Sequence, residues 1–405
     1  MSRAGRVLCG LSLLAGVACT PAAAPIAPAA SGHPAASFEL DRAELSRGGA
    51  SPALIAKLEA SRFRYFRMLA EPFELRACEA FADRRTALPT SAVHGDAHLE
   101  QFVVTAETFG LEDFDRSGFG PVVVDTVRYA ASIHLACKDA KWACDADAAV
   151  ERFLVTWRAA LESEPTRGGD PAVVGRLRAK TPQSRAAWLA WADELTGPLS
   201  PADEAQVRTE WAKFGAAMRR IQPDRPSTSL DLVRLGGLTM GFGSALERKA
   251  LLRVAGETAS ENDDIVIEVR QGAPPDAQGC VWRATYGESL VLMFHALLGR
   301  RVPDVHGFVP LFGGRRYWVQ SWDPGYQEVT LADIGSQAEL EELVVDAAVQ
   351  LGGHLWVSYP ASLRAYQADA QREAFDATRA DVVTLARQLA DEVDSAWRRF
   401  GSPRR

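Results

Sequence analysis

The pattern of apolar and polar positions divides the chain into three stretches. From Ser51, "SPALIAKLEASRFRYFRMLA" runs helically behind a Ser N-cap, with Pro52 at the first helical position, where a missing N–H does no harm. A loop marked by Pro89 leads into "SAVHGDAH", and "FVVT" and "FGLEDF" read as two short strands enclosing Ala106 and Glu107. "VVVDTVRYAASIHLAC" places Val123, Val127, Ala130 and Ala131 at helical spacing, with Asp125 and Arg128 in the same turns. Helical character continues to about Ile221, with entries at Asp145 and Ser200; Trp157, Trp188, Trp191 and Trp211 read as core. Near Ser229 the character changes. "LDLVRLGGLTMGFGSALERKALLRV" and "DDIVIEVRQG" are strand-like runs with glycine turns, "YGESLVLMFHALLG" predicts one helix, and "GFVPLFGGRRYWVQSW" predicts a hairpin turning at Gly313 and Gly314. From Ser336 to Phe400 the pattern is helical again, and no internal repeat stands out.

Composition narrows the class. The chain has 405 residues, 47% hydrophobic, enough to bury one large core or two modest ones. The net charge is −7 and no Lys/Arg-rich block appears, which argues against a nucleic-acid groove. Arg3 and Arg6 precede an apolar run, Val7 to Val17, that is too short to span a bilayer and reads as a secretory signal. "GVAC" resembles a bacterial lipoprotein box that would make Cys19 the lipidated residue, with Gly16 where such boxes usually carry Leu. The plainer alternative is an ordinary signal cleaved in "TPAAAP". Thr20 to Ser37 are Ala- and Pro-rich and read as an extended tether. The expectation is an exported protein of the periplasm or cell envelope, attached to membrane through an N-terminal lipid only. Removal of Arg3 and Arg6 with the signal would take the charge from −7 to −9. Cys78, Cys137, Cys144 and Cys280 permit two disulfides in any of three pairings, or four buried thiols; no CxxC spacing suggests zinc.

Two constellations carry chemistry. In the β-rich block, Gly241, Gly243 and Ser244 lie between two strands, where backbone amides can approach phosphate. A basic residue within a strand, Arg270, and a helix acid, Glu288, follow in order. A glycine-rich hairpin is most often only a turn, and an isolated Arg or Glu most often lies on a surface. In that order, however, the three are the parts of a kinase small lobe, with Glu288 orienting Arg270 toward the phosphates. The second constellation is "HGDAHLEQF", His94 to Phe102, followed by Asp113 and Asp115 of "EDFD".

"HGDAHLEQF" resembles the catalytic loop of aminoglycoside phosphotransferases and choline kinases, which reads much like HGDxHxxN. The resemblance implies that Asp96 is the base for a substrate hydroxyl, that Gln101 falls on the metal-binding Asn, and that Asp113 falls on the metal-chelating Asp. Asp125 in "GPVVVDTVRYAAS" falls on a structural Asp beneath the loop. The catalytic loop here precedes the glycine-rich block, the reverse of the ordinary order, and circular permutation accounts for it, since "ELVVDAAVQLGGHLWVSY" resembles the helix that normally leads into the loop. Over about residues 50–370 the chain resembles the bacterial domain-of-unknown-function family 2252, whose members are similar to permuted kinase-like proteins. The implied fold is α+β: a tether over 1–37, then one kinase-like two-lobed domain. Within it, 38–229 form the helical large lobe with its catalytic loop, 230–322 a β-rich small lobe, and 323–405 the rest of the large lobe. ATP and Mg²⁺ are the implied cofactors, and the phosphate acceptor is unspecified.

The sequence departs from the pattern at Gln101 for Asn, at Arg270 for Lys, and at Gln320 where family members commonly show Arg. Two alternatives stand beside the kinase reading. One is a catalytically silent kinase-fold lipoprotein that binds a small molecule or protein partner in the old cleft. The other is a metal-dependent hydrolase using His94, Asp96 and His98 with Asp113 or Asp115 on Zn²⁺ or Mn²⁺. Under the kinase reading, His94 and His98 need only brace the loop.

Overall fold

A computed structural model describes residues 36–402 apart from 85–86, 164–168, 182–183, 239–247, 272–278, 284–302 and 359–360. Cys19, Gly241, Gly243, Ser244, Glu288 and the helix expected over 286–299 lie outside the described residues.

Four short helices come first: α1 (Arg42–Arg47), α2 (Pro52–Ala60), α3 (Arg62–Arg67) and α4 (Ala70–Ala80). The Ser51 hydroxyl accepts from the Leu54 N–H at 3.1 Å, the cap read from the sequence. The expected continuous helix is broken at Ser61, whose extended backbone stops α2 and whose hydroxyl accepts from Arg64 N–H to start α3. β1 (Thr90–Val93) then pairs antiparallel with β4 (Gly118–Pro121). Between them, β2 (Phe102–Val104) and β3 (Phe109–Leu111) form the expected hairpin, and β11 (Gln327–Glu328) adds to its β2 edge. Helices α5 (Val123–Asp139), α6 (Ala146–Ala160), α7 (Ala172–Lys180), α8 (Arg185–Glu194) and α9 (Pro201–Ile221) follow, with Asp145 and Ser200 capping α6 and α9 as expected. The chain ends in α10 (Gln337–Ser358) and α11 (Ala361–Gly401). Among the described residues no helix is long and apolar enough to cross a membrane.

The β-rich block forms a six-stranded antiparallel sheet with β5 (Thr196–Gly197), β6 (Leu232–Leu238), β7 (Lys249–Val254), β8 (Ile265–Gln271), β9 (His306–Leu311) and β10 (Arg315–Ser321). Their order is β5-β6-β7-β8-β10-β9. The β9–β10 hairpin turns at Gly313 and Gly314, both at positive φ (90° and 78°), where side chains other than glycine are strained.

Strand periodicity assigns the faces of this sheet. Ala250, Leu252, Ile267, Val269 and Val319 pack against Trp211 and Met218 of α9. Their alternates, Lys249, Glu268, Arg270, Trp318 and Gln320, take the opposite face, because successive side chains of a strand point to opposite sides. A separate helical core joins Phe66 and Phe73 to Tyr129, Phe153, Trp157 and Leu389. Trp157, Trp188 and Trp211 are buried as expected, while Trp191 is half-buried near Trp322. Of the three pairings open to the four cysteines, the fold forms Cys78–Cys280 and Cys137–Cys144.

Candidate functional site

The segment after β1 is held by its backbone. Asp125, in the first turn of α5, accepts from the N–H of His94 at 2.6 Å and of Gly95 at 2.9 Å, one per carboxylate oxygen. Burial raises its pKa, opposed by His94 and by these two bonds. Gly95 has φ +79°, and a Cβ there would stand 2.2 Å from the Arg116 carbonyl oxygen, so only glycine fits. His94 is buried and donates through Nε2 to the Glu112 carbonyl at 2.7 Å, while Nδ1 accepts from Asp96 N–H at 3.3 Å. His98 lies edge-on to Phe63, and its Nδ1 accepts from Glu100 N–H at 3.2 Å. Burial lowers both imidazole pKa values, His98 well below its ordinary value with help from the charges of Arg67 and Arg128. Both histidines are neutral braces.

Asp96 meets Arg128, which lies one turn beyond Asp125 on α5 and is fully buried. Arg128 Nε donates to Asp96 Oδ1 at 2.6 Å, and Nη2 reaches the same oxygen. The guanidinium carbon stands 4.2 Å from the Phe66 ring centroid, so the cation is stacked as well as paired. The other oxygen of Asp96 accepts from Gln101 Nε2 at 3.3 Å. One helix therefore anchors the loop backbone through Asp125 and orients its carboxylate through Arg128. The sequence pattern placed both residues in the same turns but gave Arg128 no partner.

Asp113 adopts a left-handed backbone (φ 69°, ψ 52°) just past β3, a conformation Asp tolerates better than most residues. Its Oδ1 is ion-paired with Arg270 Nη1 from β8. Burial alone would raise the carboxyl, but Arg270, then Lys249 and His94, outweigh it and draw the pKa down to about 2. On Arg270 burial acts downward, and the opposing pull of Asp113 and Glu268 leaves the net shift upward. The loop and the sheet thus meet at an ion pair whose guanidinium is buried and whose carboxylate is half-buried. Loop and sheet are also joined through side chains: Glu112, whose N–H donates to the Gln101 carbonyl at 3.0 Å, accepts through Oε1 from Gln320 Nε2 at 3.1 Å.

Two more charged groups complete the surroundings, and sequence reasoning missed both. Lys249 is the direct cross-strand partner of Arg270, and its Nζ lies 3.9 Å from Glu268 Oε1. Glu328 sits on β11, where burial raises its pKa against the pull of Arg67 and Lys249. The period-two pattern of "RKALLRV", read beside "IVIEVRQ", would have placed Lys249 on the face of Arg270. Glu328 lies in a two-residue strand and carried no such signal.

The hydrolase constellation does not form. His94 spends both ring nitrogens on backbone, and His98 is packed against Phe63 and Phe66. Among the described residues no three His, Cys, Asp or Glu side chains are grouped to hold a metal by themselves.

A family model described as "Uncharacterized protein conserved in bacteria (DUF2252)" matches residues 50–173, a span that includes Asp96, Gln101, Asp113, Asp125 and Arg128 and ends before the six-stranded sheet. No curated protein and no solved structure matches the chain.

Proposed function

We propose that the chain is a permuted, kinase-like, nucleotide-binding phosphotransferase acting on a hydroxyl acceptor. The observation that carries this reading is the meeting of Asp113 with Arg270, residues 157 positions apart in the chain. In protein kinases the phosphate-orienting cation sits on the third strand of the small lobe, close to the metal-binding Asp. Arg270 lies on β8, the third long strand of the sheet and the second after the glycine-rich segment. Asp125 beneath the loop is further support.

Asp113, ionised above about pH 2, and the amide oxygen of Gln101 are the residues that would hold Mg²⁺, which would neutralise phosphate charge. Arg270 and Lys249 would orient the phosphates. In the transfer, the acceptor oxygen bonds to the terminal phosphorus, the bond to the bridging oxygen breaks, and the nucleoside diphosphate leaves with that electron pair. The acceptor proton passes to Asp96, which Arg128 and Gln101 hold in one orientation.

A second reading, a silent binding module, has its own support: both key carboxylates are already paired with buried guanidinium groups. Nucleotide binding separates the two. Ligand at about a hundred times its dissociation constant stabilises a fold by roughly 2.7 kcal/mol, visible as a melting shift. With Mg²⁺ and ATP we expect a small shift for the native chain, a larger one for Gln101→Asn, whose shorter side chain suits octahedral geometry, and a still smaller one for Asp113→Asn relative to its own baseline. Asp96→Ala should keep the shift and lose turnover. If no nucleotide moves the native chain or Gln101→Asn, the silent module takes first place.

A further inference from the structure

The helical body opens into a cleft of about 850 Å³, walled by α2, α3, the end of α5 and the turn after β11. Arg67 and Glu328 line it, and the charges of both reach Asp113. Trp142, Leu331 and Leu340 give it an apolar wall.

Most of its polar lining is already spent. Arg67 pairs with Glu100 at 2.8 Å, and the second oxygen of Glu100 accepts from Leu331 N–H at 2.9 Å. Asp139 holds Arg62 at 2.8 Å and the Ser61 hydroxyl at 2.9 Å. Three lining charges remain: among the described residues, the side chains of Lys57, Lys141 and Glu328 make no hydrogen bond or ion pair. Lys57 and Lys141 are exposed, whereas Glu328 is half-buried. A carboxylate partly removed from water without a donor is costly to keep, and a ligand that donates to it recovers that cost. An apolar wall with a few convergent polar groups is the usual make-up of a small-molecule site.

We propose that this cleft binds the hydroxyl acceptor, and that the acceptor is an organic anion with an apolar body. Its anionic group faces Lys57 and Lys141, its body lies on Trp142 and Leu331, and in the complex before transfer its hydroxyl donates to Glu328, a bond it exchanges for Asp96 when the phosphoryl group is transferred. The fate of the hydroxyl rests on the phosphotransferase reading; the binding itself does not.

Saturation-transfer NMR on the full chain without nucleotide tests it with three matched probes. These are 4-(hydroxymethyl)benzoate, 4-methylbenzoate, which lacks the hydroxyl, and 4-methylbenzyl alcohol, which lacks the anion. The first should bind about tenfold tighter than either of the others, the worth of one hydrogen bond or contact to a charged group. Glu328→Met should erase the preference for hydroxyl over methyl. Lys57→Glu with Lys141→Glu, both exposed and harmless to the fold, should erase the preference for the carboxylate, as should raised salt. Equal binding of the three probes, no binding of any, or preferences unchanged in the variants would overturn the proposal. An ATP-dependent melting shift with no probe preference would remove the acceptor cleft and leave the nucleotide reading; the reverse result would do the opposite.

Discussion

Arg128 is the residue on which the geometry of Asp96 depends most. It has no solvent exposure, stacks on Phe66 and places two nitrogens on one oxygen of Asp96. Breaking a buried ion pair by removing one partner costs several kcal/mol, because the survivor is left uncompensated. Arg128→Met should lose about 3 kcal/mol in urea unfolding, whereas Arg208→Met, which breaks the exposed pair with Glu204, should stay within about 0.5 kcal/mol. His94 and His98 set a pH dependence of definite sign. Their folded pKa values lie below 6.5, so below that pH the unfolded chain binds protons that the folded chain refuses. Stability is therefore fully present above about pH 6.5 and falls as the pH drops from there toward the folded values, by up to about 1.4 kcal/mol per pH unit for each histidine. Melting between pH 7 and 5 should show this slope, and it should be shallower in His98→Gln. A flat profile would mean that neither ring is buried as described.

At the scale of elements, periodicity and caps made much of the architecture readable. Ser51, Asp145 and Ser200 start helices where expected, and the β-rich block after Ser229 became one antiparallel sheet. Ser61 was hidden inside a helical pattern because a hydroxyl that caps one helix differs from a solvated helix residue only in backbone conformation. The loop chemistry was legible because Asp96, Asp113 and Asp125 lie close together in sequence. Their cationic partners were less so: Arg270 was picked out as a phosphate ligand rather than as the partner of Asp113, and Lys249 and Glu328 come from distant strands. Cysteine pairing was open in sequence because it is decided by where elements dock. Cys78 on α4 bonds Cys280, whose neighbour Trp282 pairs with Phe119 of β4 and whose near neighbour Arg283 donates to the Arg116 carbonyl at 2.8 Å. This bridge spans 202 residues and the Cys137–Cys144 bridge spans 7. In the chain-entropy account the longer loop stabilises more, so Cys78→Ala should cost about 2–3 kcal/mol more than Cys137→Ala in urea unfolding. Equal losses would place the effect of both bridges in local contacts instead.

At the scale of the whole molecule, the segments 50–173 and 230–322 contribute one carboxylate-bearing loop and one cation-bearing sheet face, and the order in which they occur matters less than where they meet. Two disulfides accord with the proposal of an exported protein, since such bridges persist in oxidising compartments. The central claim is that Asp113 and Arg270 serve a single Mg²⁺-dependent nucleotide site. Calorimetric titration of ATP at saturating Mg²⁺ into the native chain, Asp113→Asn, Arg270→Met and the double variant tests it most directly. Residues that share one site lose less together than the sum of their separate losses. The account predicts measurable binding to the native chain and a non-additive cycle, with binding abolished when Mg²⁺ is chelated. No binding to the native chain, or strictly additive losses, would contradict it.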